Sequence, residues 1–357
     1  MKMNLPSVQI GSRVFGADHP PTLWPDIDVY FKRDLSQAFY LIDQVAEAGG
    51  QYLKGAVLHR EDLCLRHHGQ VTYYDKTTGQ LVCEPYADVM ARHVVPIESL
   101  YKVMRRARDA GLGLVLSVYD SEGLAFARDV GALAVKVPSS NITHKALIEE
   151  VAVCGLPWVM DTGRSKFSEI ERAVSWARSQ GGSGRMLLEH SPPGPPAPAT
   201  RFHLRMIKHM ALHFSCPVGL SDHHIGLDMF PLAVALGVCV IEKGLVLDDA
   251  HPDIDVAHAL PVSRLRAALA MLEESWQALG NDVRPDAEVP DHAVDRMCII
   301  ARQDIAVGAV ITRDMLDFAF PPLGIGAEDL DTVVGATAHM RILRGTPINR
   351  DAISSRG

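Results

Sequence analysis

The sequence predicts an α/β chain, a (β/α)8 barrel followed by a small β-rich domain. Between residue 7 and about residue 280 one unit recurs: a short run rich in Val, Leu or Ile ends in polar residues, and a helical pattern follows. Eight such runs are present, which favours a closed barrel over an open sheet. Beyond a polar stretch with two prolines the texture changes to short strands and tight glycine turns.

The strand candidates, in order, are SVQIG (7–11), QYLKGAVL (51–58), LGLVLSV (112–118), LAVKVP (133–138), PWVMDT (157–162), RMLLEH (185–190), CPVGLS (216–221) and GVCVIEKG (237–244). Helical patterns such as SQAFYLIDQVAEAG and IESLYKVMRRARDAG lie between them, with apolar residues three and four apart and glycine at several ends. An open doubly wound sheet has a similar local pattern, but no G-x-G-x-x-G follows the first strand. Residues 59–96 are too long for a routine connection and read as a lid or substrate-binding loop, with a turn at KTTGQ. SPPGPPAPAT (191–200) holds five prolines, so it reads as a stiff, non-helical loop. Residues 281–292 read as a linker, which sets expected domains of 1–282 and 293–357.

Composition narrows the function classes. The chain has 35 basic and 43 acidic residues, a net charge of −8 and no basic block, which argues against a nucleic-acid partner. No run reaches the roughly 18 apolar residues that span a bilayer, and the amino terminus lacks a signal-peptide core. Six cysteines without a C-x-x-C pair fit free thiols in a reducing compartment, so a cytoplasmic location is expected.

In a barrel the carboxyl ends of the strands share one opening. Those ends carry Lys54, Ser117, Lys136 with Ser139, Asp161 with Thr162, Glu189 with His190, Ser221 with Asp222 and His223, and Glu242 with Lys243. Lys54 and Lys136 each interrupt an apolar strand, where an unpaired ammonium is costly. They bind either an anionic substrate or an internal carboxylate such as Glu242 or Asp161. A metal at His223 needs partners, for which His224, His190, Glu189, Glu242, His258 and Asp222 are candidates. With 16 histidines in the chain, chance clusters are easy.

Several stretches resemble the N-acetylneuraminate (sialic acid) synthase family: LIDQVAEAGGQYLKGAVL, DSEGLAFARDVGALAVKVPSSNITHKALIEEVAVCGLPWVMDTGRSKFSEIERAV, CPVGLSDHHIG and ALGVCVIEKGLVLD. The tail IIARQDIAVGAVITRDMLDFAFPPLGIGAEDLDTVVGATAHMRILRGTPI resembles the family's antifreeze-like (SAF) domain. The resemblance implies a TIM barrel that condenses phosphoenolpyruvate with an amino-sugar aldehyde to a nonulosonic acid, releasing phosphate. It also implies a divalent metal, Mn²⁺ or Mg²⁺, and a domain-swapped homodimer whose C-terminal domain brings Arg341 or Arg344 to a partner's substrate. Lys54, Lys136, Ser139 and Ser221 match phosphoenolpyruvate-binding positions, and His223 matches the first metal histidine, with His224 as an extra imidazole. Ser117, His190, Lys243 and His258 complete the expected substrate-binding set.

The chain departs from the family pattern at the sugar end. The family's E-I-G-x-N-H-x-G reads here as VFGADHP, which puts Val14 at the acid–base glutamate and Asp18 at the asparagine before His19. The second metal histidine, in E-K-H, is Gly244, and the aspartate before His258 is Ala257. The family's N-x-Y on the sixth strand gives way to EHSPPGPP. Valine cannot carry a proton and glycine offers no side-chain ligand. Asp18, His19 or Glu242 is therefore the expected substitute proton carrier, on an acceptor other than ordinary N-acetylmannosamine. The alternative is a non-catalytic protein that binds an anion or regulates a partner on the same scaffold.

Overall fold

The structure is a computed structural model, and it describes residues 6–28, 30–31, 33–65, 69–75, 80–193, 196–249, 258–281 and 295–354. Internal contacts divide the chain into two units, residues 1–280 and 281–357. Apart from residue 281, the expected linker lies outside the described residues. Among the described residues no helix is long and apolar enough to cross a membrane.

In the first unit β1 (Val8–Ile10) and β2 (Arg13–Phe15) form an antiparallel hairpin. The chain then runs through β3 (Thr22–Asp28), β4 (Tyr52–Val57), the hairpin of β5 (Gln70–Asp75) and β6 (Gln80–Pro85), and β7 (Gly113–Val118). It continues through β8 (Ala134–Val137), β9 (Trp158–Asp161), β10 (Met186–His190), β11 (Val218–Ser221) and β12 (Val240–Val246). Strands β3, β4, β7, β8, β9, β10, β11 and β12 pair in parallel in that order, and β12 returns to β3. This is a closed eight-stranded barrel surrounded by helices.

The expected first strand is corrected. Residues 7–11 belong to the hairpin, and the first barrel strand is TLWPDID. Pro25, Asp26 and Asp28 hid it, because Pro and Asp are depleted in strand interiors. The strand accommodates them with an irregular register against β4 between Asp26 and Asp28. The long insertion after β4 is not a plain loop either. It holds the β5–β6 hairpin and a helix, Tyr86–His93, while most of KTTGQ lies outside the described residues.

The helices bury one stripe each against the strands. In the helix Leu35–Glu47 that stripe is Ala38, Leu41, Ile42 and Val45, the spacing of one helical face. Asp34 caps its amino end by accepting hydrogen bonds from the Ser36 and Gln37 amides.

Period-two alternation orders the barrel interior. Trp24, Tyr52, Val115, Ala134, Val159, Leu187 and Val240 gather with Val8, Ile10 and Phe15 into a buried apolar floor. Phe15 packs on Trp24 and Tyr52 at ring-centroid distances of 5.6 and 5.7 Å, and the Tyr52 hydroxyl donates to the Ile10 carbonyl. The hairpin thus closes the amino end. Two residues further along each strand, roughly 6.6 Å higher, come Asp26, Lys54, Ser117, Lys136, Asp161, Glu189 and Glu242, all buried. The barrel is an apolar floor beneath a charged layer.

The second unit has its own core. β13 (Leu260–Pro261) ends the first unit's strands, after which β14 (Cys298–Ala301) and β15 (Leu316–Ala319) pair antiparallel. Single bridges such as Ile300 with Pro347 and Ile305 with Ile342 tie the tail around them. Ile299, Ile311, Leu316, Val333 and Ile348 fill the interior.

Gly219 marks where the layers leave no room. A Cβ there would stand 2.4 Å from Val240 Cγ1 and 3.1 Å from Glu189 Cγ. Gly219→Ala is expected to cost about 1–3 kcal/mol of stability through overpacking, read by denaturant unfolding. An unchanged midpoint would show that the layers yield freely.

Candidate active site

The charged layer is a network of ion pairs. Lys54 Nζ lies 2.7 Å from Asp26 Oδ2, its register partner across β3 and β4, and 3.9 Å from Glu242 Oε1. Lys136 Nζ lies 2.6 Å from Glu242 Oε1, 2.7 Å from Glu189 Oε2 and 3.0 Å from Asp161 Oδ2. Glu242 therefore joins the two lysines. Ser221 Oγ is 3.3 Å from both Glu242 Oε1 and His223 Nε2, and the His223 ring lies 4.6 Å from that of His258. Among the described residues His223 Nδ1, Glu189 Oε1 and Glu242 Oε2 have no hydrogen-bond partner.

Burial splits the carboxyl groups by their partners. Burial raises Glu189 to about 8, and Glu242 and Asp161 add to the rise against the pull of Lys136. Burial likewise raises Asp26 to about 7, against the pull of Lys54. Glu242 meets the same burial, but Lys136 and Lys54 together outweigh it and bring it down to about 2. Burial opposes the charge on Lys136, yet its three carboxylates hold its pKa well above the ordinary value. Burial lowers His223, which favours the neutral imidazole. The layer therefore holds a fixed anion at Glu242 and two carboxyls able to carry protons near neutral pH.

Of the residues expected from the sequence, Lys54, Lys136, Ser221, His223, Glu242 and His258 come together here. Ser117 sits in the same layer as the register partner of Lys136. Ser139 Oγ, Ser191 Oγ and Asp161 Oδ1 surround Gly163, each 3.0–3.2 Å from where its Cβ would lie. Others are placed elsewhere. Asp18 and His19 lie between β2 and β3 at the floor end, where Ala17 packs on Gly237 ahead of β12. Val14 is on the hairpin and 37% exposed. The carboxylate at the first barrel strand's mouth is Asp26, so the substitution read at Val14 and the roles expected for Asp18 and His19 are corrected. Asp26 escaped because its strand was not recognised; the alternation Trp24–Asp26 would have placed it beside Lys54.

Lys243 points away from the layer and pairs with buried Asp222 at 2.9 Å while also donating to the His224 carbonyl. His224 does not join His223. Its Nδ1 lies 3.2 Å from the Ala197 carbonyl and its ring sits edge-on to Phe202. His190 Nε2 donates to the Phe202 carbonyl at 2.6 Å. Arg341 belongs to the second unit, paired with Asp304 at 2.9 Å. Ala257 lies outside the described residues. Beside the strand ends opens a cavity of about 1210 Å³, bounded by Thr162, His190 and Ser191 with Arg164, Arg201 and Arg205.

Residue 244 is glycine and offers no imidazole, and a Cβ there would meet Ala259 Cβ at 3.1 Å and the Tyr30 ring at 3.3 Å, so a side chain would require both neighbours to shift. An imidazole pair made by His223 and residue 244 is therefore absent. Asp161, Glu189 and Glu242 instead form a buried triad whose oxygens lie within 4.8 Å of one another, capable of coordinating a divalent ion. Lys136 Nζ contacts all three.

The NeuB family profile matches residues 41–284 and the SAF domain profile residues 296–353. The chain is 26% identical to the N,N'-diacetyllegionaminic acid synthase of Legionella pneumophila, over 88% of this chain and 89% of that one. Its fold is similar to the N-acetylneuraminic acid synthetase of Leptospira borgpetersenii (TM-score 0.69, 21% identity, 79% and 93% of the two chains). It is also similar to the spore coat polysaccharide biosynthesis protein spsE of Bacillus subtilis (TM-score 0.63, 22% identity, 98% and 100% coverage).

The raised Glu189 has a consequence for stability. Its protonated form is favoured in the fold, so its contribution is present at low pH and lost as pH rises from 4.5 through about 8. Glu242 acts oppositely, its contribution being lost as pH falls from 4.5 toward about 2. Glu189→Gln should gain on the wild type between about pH 5 and about pH 8, by up to about 1.4 kcal/mol per pH unit. Denaturant unfolding across that window checks this, and a constant difference would refute it.

Proposed function

Because the chain belongs to the NeuB family, we propose that its barrel mouth condenses phosphoenolpyruvate with a sugar aldehyde, lengthening the sugar by three carbons and releasing phosphate. One observation carries this reading: two buried lysines stand in one layer, joined through Glu242. A small dianion that enters the layer meets both ammonium groups. It competes with the carboxylates that hold them, and protons on Asp26 and Glu189 ease the exchange.

In this reading the enol carbon attacks the aldehyde carbon, water adds at C2 and the C2–O bond to phosphate breaks. Lys54 and Lys136 oppose the carboxylate and phosphate charges. Asp26, raised to about 7 and paired with Lys54 at the mouth of the first barrel strand, serves as the proton carrier at the aldehyde oxygen. Ser221 and neutral His223 orient the reacting groups, with His258 beside them. Asp161, Glu189 and Glu242 are oxygen donors of the kind that hold Mg²⁺ or Mn²⁺, but Lys136 Nζ already stands among them, so no step of this reading passes through a metal. Arg164, Arg201 and Arg205, which line the neighbouring and largely apolar cavity, suit an acceptor that bears an anionic group. A cytoplasmic homodimer belongs to the same proposal, on the family likeness.

A second reading has its own support. Each buried lysine is already neutralised by carboxylates, and Gly244 removes a ligand position. Such a layer also suits a protein that binds an anion without turnover.

Phosphate release from phosphoenolpyruvate across a panel of aldoses and aldose phosphates, with product mass measured, separates the two. The synthase reading expects a product three carbons longer from one acceptor class. It also expects Lys54→Met and Asp26→Asn each to lower kcat by about 10²–10⁴-fold. Binding without product across the panel supports the second reading.

A further inference from the structure

Lys136 occupies a position that a metal ion would take. Its Nζ contacts one oxygen from each of Asp161, Glu189 and Glu242 at 3.0, 2.7 and 2.6 Å. Those three side chains are the ones whose oxygens cluster within 4.8 Å. All are buried, Glu189 completely.

The ammonium does not satisfy the cluster. Glu189 Oε2 is close to Nζ but outside hydrogen-bond geometry, and among the described residues Glu189 Oε1 and Glu242 Oε2 have no partner. An ammonium has three protons in fixed directions and one charge. A divalent ion has twice the charge and takes oxygen ligands from six or more directions. The orphaned oxygens and the clustered donors are what such an ion requires. The lysine is a one-charge substitute for it.

We propose that Lys136 is the resident cation of a divalent-metal site: its ammonium and a metal ion exclude each other, and the native chain keeps the site closed to metal. The same barrel mouth has Gly244 where the family likeness puts a second imidazole, with Tyr30 and Ala259 packed close against it. An internal cation and a missing metal ligand thus occur together, and each makes the other tolerable. The proposal rests on this geometry and does not depend on the phosphoenolpyruvate reading.

A metal entering the native site must break all three lysine contacts inside the barrel, where a carboxylate or ammonium left alone is strongly destabilising. Removing the ammonium removes that opposition. Lys136→Met should therefore bind Mn²⁺ on the order of a hundredfold more tightly than the wild type.

The test is a titration of full-length protein with Mn²⁺ alone, free ion followed by electron paramagnetic resonance, alongside thermal unfolding with and without the ion. The wild type is expected to show no stoichiometric site and no shift in Tm. Lys136→Met is expected to bind one ion per chain and to rise in Tm, and Lys136→Met with Glu189→Gln to lose both effects. Lys136→Met that folds only with Mn²⁺ gives the same answer. One tight ion per wild-type chain, abolished by Glu189→Gln, would overturn the proposal. So would Lys136→Met that takes up no ion or stays unfolded in its presence.

Discussion

The burial of three carboxyl groups around one ammonium constrains everything else in this barrel. Asp161, Glu189 and Glu242 come from three different strands, and only the closed sheet brings their oxygens within reach of Lys136. Desolvating that many charges costs several kcal/mol per ion unless attraction returns it. The network answers in two ways: Lys136 and Lys54 hold Glu242 ionised, and Glu189 and Asp26 ease the excess negative charge by keeping protons. The proton-carrying groups required by the proposed reaction follow from the same accounting of charge.

The apolar floor makes that layer possible. Period-two alternation fills the amino half of the barrel with Trp24, Tyr52, Val159 and Leu187 and leaves the next inward position for polar groups. The hairpin seals the floor through Phe15. Outside the layer, Lys243 and Asp222 form a separate buried pair that holds the segment after β11, so that His223 faces the layer while His224 faces the proline-rich segment. Adjacent residues have taken unrelated tasks.

Much of this was legible in the sequence. Lysines inside the apolar runs around Lys54 and Lys136 announced buried charge, and the repeated run–helix pattern announced the barrel. Their carboxylate partners at Asp161, Glu189 and Glu242 stood at recognisable strand ends. The first barrel strand was not legible, since Pro25 and two aspartates disguised it, and the error carried Asp18 and His19 into a site they do not reach. Of the two adjacent histidines the family likeness singled out His223, but what turns it inward and His224 away was hidden. That depends on Lys243 and Asp222, residues whose pairing is fixed only by the tertiary fold. Family likeness located the mouth; strand register decided what stands in it.

If substrate and carboxylates share the two lysines, an incoming dianion must be accompanied by protons once Glu189 and Asp26 have ionised. Calorimetric titration of phosphoenolpyruvate into the native protein at about pH 8.5, repeated in buffers of different ionisation enthalpy, counts those protons. The account predicts binding with uptake of about one proton per site, shrinking to near zero below about pH 6. Binding with no proton uptake at the higher pH would contradict it, because the lysines would then be opposing substrate charge without surrendering their carboxylates.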